Sequence, residues 1–386
     1  MAKSKKSKIS QRGKNLKKPN RVVIADQTIS ASSSTNQQVN SKLMQLPQEI
    51  RDEIYATVFR STRLTIAERY LGYSKGWRVL SSSRGTMLSV LLTCRRVRDE
   101  IGVSWLHQVL FCFEDNMALL GKLTAIPIAV RSQIRHLRVS GQTMMVWDAE
   151  GGDSYYTTAQ VLKLLPGLRL DTLTVLDDSL DGSGDSSYEA LDKLVRYGNG
   201  WKELHWLSRS SELLGYKVDD DMSARDLRQP QPFDWQTALE QRDGQASHPS
   251  VVIYRATTVT TPGDVLQPST RSLFTQAFGA NQDARTFGRF EYATLMAPGE
   301  TEKELMVVVK RGAGVSYAEK KGSPYLSIGD IRKDRRGETW KKIKAKNDAY
   351  NRMEDSDITP FTDDGIADAY SHVDEYTWPS LRSWDE

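Results

Sequence analysis

Residues able to hold a metal, attack a bond or carry a proton occur throughout this chain, but their spacing supports none of those reactions. The five histidines are scattered, and Cys94 and Cys112 have no neighbouring ligands with which to complete a zinc site. The run Asp177-Asp178-Ser179-Leu180-Asp181-Gly182-Ser183-Gly184 offers oxygen ligands for calcium. It lacks the bidentate Glu at the spacing of an EF-hand loop, so it reads as a solvated acidic loop. A Gly-rich phosphate loop and a His-Glu-x-x-His helix are missing, and the Gly-x-Ser-x-Gly string at Gly72 to Gly76 falls in a predicted hairpin turn, not at the strand-to-helix elbow that such a nucleophile requires. Paired carboxylates fall in loops and tails, where nothing buries or pairs them enough to shift a pKa. The residues therefore predict a chain that is not an enzyme and uses no cofactor or metal. An unrecognised enzyme, built from titratable groups gathered from distant segments, is the alternative.

Recognition chemistry is better represented. Asp330 to Lys346 mixes cations with Trp340, a combination that can track phosphates and stack on bases, although no nucleic-acid-binding fold accompanies it. A solvated helix is the expectation there. At the other end, Lys3, Lys5, Lys6, Lys8, Arg12, Lys14, Lys17, Lys18 and Arg21 precede the first acid, Asp26. That stretch reads either as a solvated tail or as a nuclear-import signal or nucleic-acid tether.

Apolar recognition centres on Leu46-Pro47-Gln48-Glu49-Ile50-Arg51-Asp52-Glu53-Ile54-Tyr55. Pro47 suits the first turn of a helix, because its φ is already helical and its missing N–H would have had no partner. Glu49 follows where the helix dipole favours negative charge. Leu46, Ile50, Ile54 and Val58 recur every four residues, and Tyr55 and Phe59 widen the row into a stripe. Arg51, Asp52 and Glu53 are expected on the opposite, solvated face. So short a helix is marginal in water and must dock its stripe. Leu88, Leu91, Cys94, Val97, Ile101 and Trp105 form a second helical stripe against which it can pack. Leu46, Pro47, Ile50 and Ile54 are the candidate partner-binding residues; the same residues serve equally well as internal core.

These two segments resemble a large fungal family of F-box-like proteins. Leu46, Pro47, Glu49, Ile50, Arg51, Ile54 and Tyr55 match its first helix, and Leu91, Leu92, Thr93, Cys94 and Arg95 match its later Leu-Leu-x-Thr-Cys-Arg helix. Trp105-Leu106 and Val109 to Phe113 are similar to the helix end and strand that follow in such proteins. The resemblance implies attachment through the F-box helices to the Skp-type adaptor of a cullin–RING ubiquitin ligase, with the rest of the chain presenting an unknown client. One departure is plain. Ser61 to Thr86 separates the two helices, and Arg63-Leu64-Thr65-Ile66 and Trp77-Arg78-Val79-Leu80 within it predict a hairpin around Gly72 to Gly76.

The whole chain has 386 residues, 39% of them hydrophobic, a mean hydropathy of -0.52 and a net charge of +4. Values this polar predict charged, disordered tails around a folded middle. The first residues lack an apolar signal core and no later stretch reaches the ~20 apolar residues of a membrane helix. Two cysteines in predicted packed elements read as buried reduced thiols, so an intracellular location is expected, with the basic tail favouring the nucleus over the cytoplasm. A nucleus-directed nucleic-acid-binding protein is the second functional reading.

Downstream the pattern apolar-x-x-Leu-x-apolar occurs three times, at Ile134 to Val139, Leu170 to Val175 and Trp201 to Trp206, with starts 36 and 31 residues apart. Such a pattern builds the strands of leucine-rich repeats, but the intervals exceed the common range of about 20–29 residues. Three unrelated core strands fit it as well. Helices are expected between them, at Thr158 to Leu165 and Tyr188 to Tyr197. Ser208 to His248 looks like a polar excursion with little core. Val251 to Tyr254 and Leu305 to Val309 read as buried strands, the latter paired in a hairpin with Arg289 to Leu295 across Pro298-Gly299. The expected fold is α+β or α/β. Residues 1–41 form a disordered basic tail, 42–115 an F-box-like helical module with an inserted hairpin, and 116–330 an irregular leucine-rich-repeat-like β/α layer. A basic segment and an acidic tail complete residues 331–386.

Overall fold

A computed structural model describes residues 41–70, 77–83, 89–93, 95–147, 152–177, 184–214, 231–259, 263–275, 299–326 and 329–354. Contacts divide the chain after Pro47. The first unit contributes one described helical turn, Lys42–Gln45, which ends where Leu46 becomes extended and its N–H bonds to Leu43 O. The second unit, from Gln48 on, has a mixed α/β fold.

Its strands are β1 (Arg63–Tyr70), β2 (Trp77–Ser83), β3 (Leu110–Phe113), β4 (His136–Ser140), β5 (Met144–Trp147), β6 (Asp153–Tyr156), β7 (Leu170–Asp177), β8 (Trp201–Ser208), β9 (Ser250–Ala256), β10 (Arg271–Phe274) and β11 (Leu305–Lys310). Among the described residues, nine of them make one sheet in the order β10-β9-β11-β8-β7-β4-β3-β1-β2, and β5 and β6 pair separately. The predicted hairpin is present, with Arg69 opposite Arg78 and Ala67 opposite Leu80. Its first strand runs parallel to β3 and so extends the main sheet.

The three repeated segments become adjacent parallel strands in matching register. Leu137 faces Leu173, which faces Leu204, and Val139, Val175 and Trp206 align two residues further on. The rows continue through Phe111 and Phe113 to Leu64 and Ile66 on one side. On the other side they run through Val309 and Val307 to Val251 and Ile253. Residues two apart on a strand share a face, so both rows lie on one side of the sheet. Leu137, Leu173, Leu204, Val139, Val175 and Trp206 are completely buried there.

Chain order gives the reason for this one-sided core. The parallel strands β1, β3, β4, β7 and β8 are laid down successively in one direction, without the reversal of a doubly wound sheet. Right-handed crossovers are the rule for parallel strands, and repeated in one direction they put every connecting helix on the same face. Asn116–Leu123, Thr158–Val161, Gly184–Tyr197 and Phe233–Asp243 accordingly pack in sequence, each against the next. Leu119, Val161, Leu191, Leu194, Trp235 and Leu239 supply their buried side. Arg242 closes the layer by donating to Val195 O and Gly198 O at the end of the third helix, while Arg311 grips Asp243 at 2.6 Å. Lys163 and Glu319 form a buried ion pair at 3.2 Å that ties the stretch after β11 to the turn Leu162–Leu164 following the second helix.

Several expectations need correction. β11 has β8 on one edge and β9 on the other, and a strand has only two edges, so it cannot also pair with Arg289 to Leu295. That segment lies outside the described residues, as do residues 1–40, Cys94, 178–183 and the acidic tail from 355. The stretch from Ser208 to His248 does contain core: Leu213, Leu214, Trp235 and Leu239 are buried. Its sparse apolar residues concealed a helix whose few inward positions are large. The second stripe is broken, because helix Arg95–Ile101 stops at Gly102 with φ +53° and Trp105 sits in a separate turn, Ser104–His107. Val97 and Ile101 are its buried residues. Cys112 is buried. Among the described residues no helix is long and apolar enough to cross a membrane.

Candidate functional site

Two surfaces of the second unit stand out. The first is the helix Gln48–Arg60, whose inward face is Arg51, Tyr55 and Phe59. Successive helical residues are rotated by about 100°, so these three lie beside the row Ile50, Ile54 and Val58. The apolar stripe is wider than the face that packs, and the choice of face falls to Arg51. Its guanidinium grips Glu100 of the second helix with two bonds, Nη2 to Oε1 at 2.8 Å and Nε to Oε2 at 3.1 Å. Arg96 Nε adds 3.0 Å to Oε1, and Tyr55 Oη lies 3.5 Å from Oε2. Burial pushes the Glu100 carboxyl up, but its hydrogen bonds from Arg51 and Arg96 outweigh that and hold it below the usual carboxylate range.

Turning Arg51 inward turns two isoleucines outward. Ile50 is 44% and Ile54 37% exposed, although both were expected within a docked stripe. Arg51, expected in solvent, is buried instead. Leu46 and Pro47 belong to the first unit, and both are exposed. Leu92 is 84% exposed.

The second surface is the side of the sheet away from the helices. Arg63, Leu110, His136, Thr172, Glu203 and Lys310 align across six strands, and Thr65, Cys112, Arg138, Thr174, His205 and Val308 form the next row. Most of these side chains are polar and partly exposed, in contrast to the sealed rows behind them. Glu203 accepts from His205 Nε2 at 2.7 Å and stands 3.8 Å from Lys310 Nζ. Burial raises its pKa, but the bond from His205 and the nearby cations bring the carboxyl below its ordinary range. Burial pushes His136 down, helped by Arg135 and Arg60 and opposed by Asp171.

At the other ends of the strands this face turns apolar. Leu176, Leu207, Met306 and Val308 cluster with Ala256 and Val265 beneath the turn Asp264–Leu266. Glu304 holds that turn by accepting from Gly263 N and Val265 N. The polar part is therefore bounded, a strip of cations, histidines and threonines that is only partly exposed. Such a strip can hydrogen-bond and pair charges with an extended or irregular partner. Among the described residues no three His, Cys, Asp or Glu side chains converge as metal ligands would.

The sequence drew attention to the exposed isoleucines but not to the polar strip. The strip is composed of the residues lying between the apolar positions of the repeated pattern, and alternation alone is the signal that would have found it. Comparison with protein-family models, curated proteins and solved structures finds no match.

Proposed function

We propose that the chain is a non-catalytic protein-interaction protein, an F-box-like substrate-recruiting subunit of a cullin–RING ubiquitin ligase. In this reading Ile50 and Ile54 dock a Skp-type adaptor, and the partly exposed polar strip of the sheet holds a client. The supporting observation is the outward rotation of the helix Gln48–Arg60, which leaves Ile50 and Ile54 exposed although a polar residue, Arg51, is buried beside them. Each isoleucine forgoes roughly 1 kcal/mol of burial by remaining so exposed. A helix selected only for internal packing would place an isoleucine, not an arginine, at the buried position. The motif around Leu46 and Pro47 adds the likeness to F-box helices described above.

Capture of a purified Skp-type adaptor by the full chain tests this reading. Ile50→Glu and Ile54→Glu should each weaken capture at least tenfold while circular dichroism stays unchanged, because both residues are partly exposed and absent from the buried core. Asp52→Ala, on the exposed surface of the same helix, should have no effect. Failure of the intact chain to bind the adaptor would sink the ligase reading.

A further inference from the structure

We propose that the acidic residues 355–386 dock in cis on a cationic face formed by Lys333, Arg336, Lys341, Lys342 and Lys346. The face is held rigidly. Helix Trp340–Glu354 buries Trp340, Ile343 and Asn347, spaced by three and four residues as one side of a helix requires. Asn347 accepts from Trp147 N at 3.1 Å, and Arg335 in the preceding turn donates to Val146 O and Trp147 O at 2.9 and 3.0 Å. Both contacts fasten the segment to β5. With its apolar side fixed, the helix has to turn Lys341, Lys342 and Lys346 outward, and Lys333 and Arg336 of the adjoining turn are exposed with them.

Local neutralisation of this charge is slight. Lys346 pairs with Glu338 at 2.6 Å; among the described residues, no ion pair is seen for the side chains of Lys333, Arg336, Lys341 or Lys342. Lys341 and Lys342 also stand in the first turn of their helix, which carries no acidic residue and where the dipole disfavours cations. An anion on this face would relieve both repulsions.

The sequence immediately beyond the helix has the matching charge. Residues 355–386 contain nine acidic side chains and a single basic one, Arg382. Reach is no obstacle. From Glu354 back to Lys341 the helix spans about 20 Å, whereas an extended chain covers ~3.3 Å per residue, so six or seven residues suffice to return. The tether keeps the segment at a local concentration on the order of millimolar. Because the contact is between exposed charges, it weakens once salt shortens the screening length to a few ångströms.

Zero-length carbodiimide cross-linking of the full chain, followed by peptide mapping, provides the test. At low salt, carboxylates of residues 355–386 should link to Lys333, Lys341, Lys342 or Lys346 within one chain, and the links should vanish at about 1 M salt. Acetylation of those lysines should rise severalfold in a chain ending at Glu354. Lys341→Glu with Lys342→Glu, both on the exposed face, should abolish the links without altering the circular dichroism. Links made chiefly to the lysines of residues 3–18 would overturn the proposal. So would links between differently labelled copies, or acetylation unchanged by the truncation. Protection that survives truncation but disappears after nuclease treatment would assign the face to nucleic acid instead.

Discussion

Arg51 and Glu100, 49 residues apart in sequence, meet in a two-bond ion pair that fixes which face of helix Gln48–Arg60 turns inward. Because the Glu100 carboxyl is held below its ordinary range, the pair stabilises the fold fully above the unfolded carboxylate pKa of about 4.3. That contribution disappears as the pH falls through the lower, folded value. Urea midpoints followed from pH 7 to pH 3 should decline less steeply for Glu100→Gln than for the parent chain. The variant should be the less stable of the two at pH 7. Parallel curves would refute the assignment.

His136 predicts a second, higher window. Burial lowers its pKa, so the folded protein resists protonation where the unfolded chain, titrating near 6.5, accepts it. Stability contributed by the neutral imidazole is present above about 6.5 and declines as the pH drops through the folded value. His136→Gln should flatten the stability profile just below the unfolded histidine pKa of about 6.5 and leave the acid limb due to Glu100 intact. An unchanged slope in that window counts against it.

The two faces of the sheet should respond very differently to truncation. Trp206 is fully buried in the second apolar row, and Trp206→Ala should cost roughly 3–5 kcal/mol. Thr172, on the polar strip, should change stability by no more than about 0.5 kcal/mol when replaced by Ala. Denaturant unfolding of both variants measures the contrast. Equal losses would mean that the strip is as tightly packed as the core.

Lys163 and Glu319 provide a test of buried charge. Their side chains are 3% and 0% exposed, so removing one charge strands the other away from water. Glu319→Gln should destabilise by roughly 3–5 kcal/mol, and combining Lys163→Met with Glu319→Leu should recover much of that loss. Thermal unfolding of the single and double variants decides it. A double variant as unstable as the single one would point to Ser323, which also donates to Glu319, as the principal partner lost.

Much of the fold was legible because its signals are local. The apolar-x-x-Leu-x-apolar segments did become neighbouring strands, since a period of two on a β-branched, leucine-rich background leaves a strand few other ways to bury its side chains. The hairpin β1–β2 and the helices near Thr158 and Tyr188 were visible for similar reasons. The helix Phe233–Asp243 was hidden because its burial rests mainly on Trp235 and Leu239 in an otherwise polar stretch.

By its order of residues alone, this chain determined where many of its helices and strands lie and which positions of each are apolar. Tertiary structure decided what those positions meet. Periodicity made Ile50, Ile54, Tyr55 and Phe59 one stripe, but the approach of Glu100 brought Arg51 inward and left the isoleucines partly exposed. Likewise, Leu305 to Val309 was readable as a strand, whereas its insertion between β8 and β9 was not. The difference is physical: backbone and side-chain preferences act over a few residues, while the energy of a buried charge or a filled sheet edge depends on a partner arriving from far along the chain.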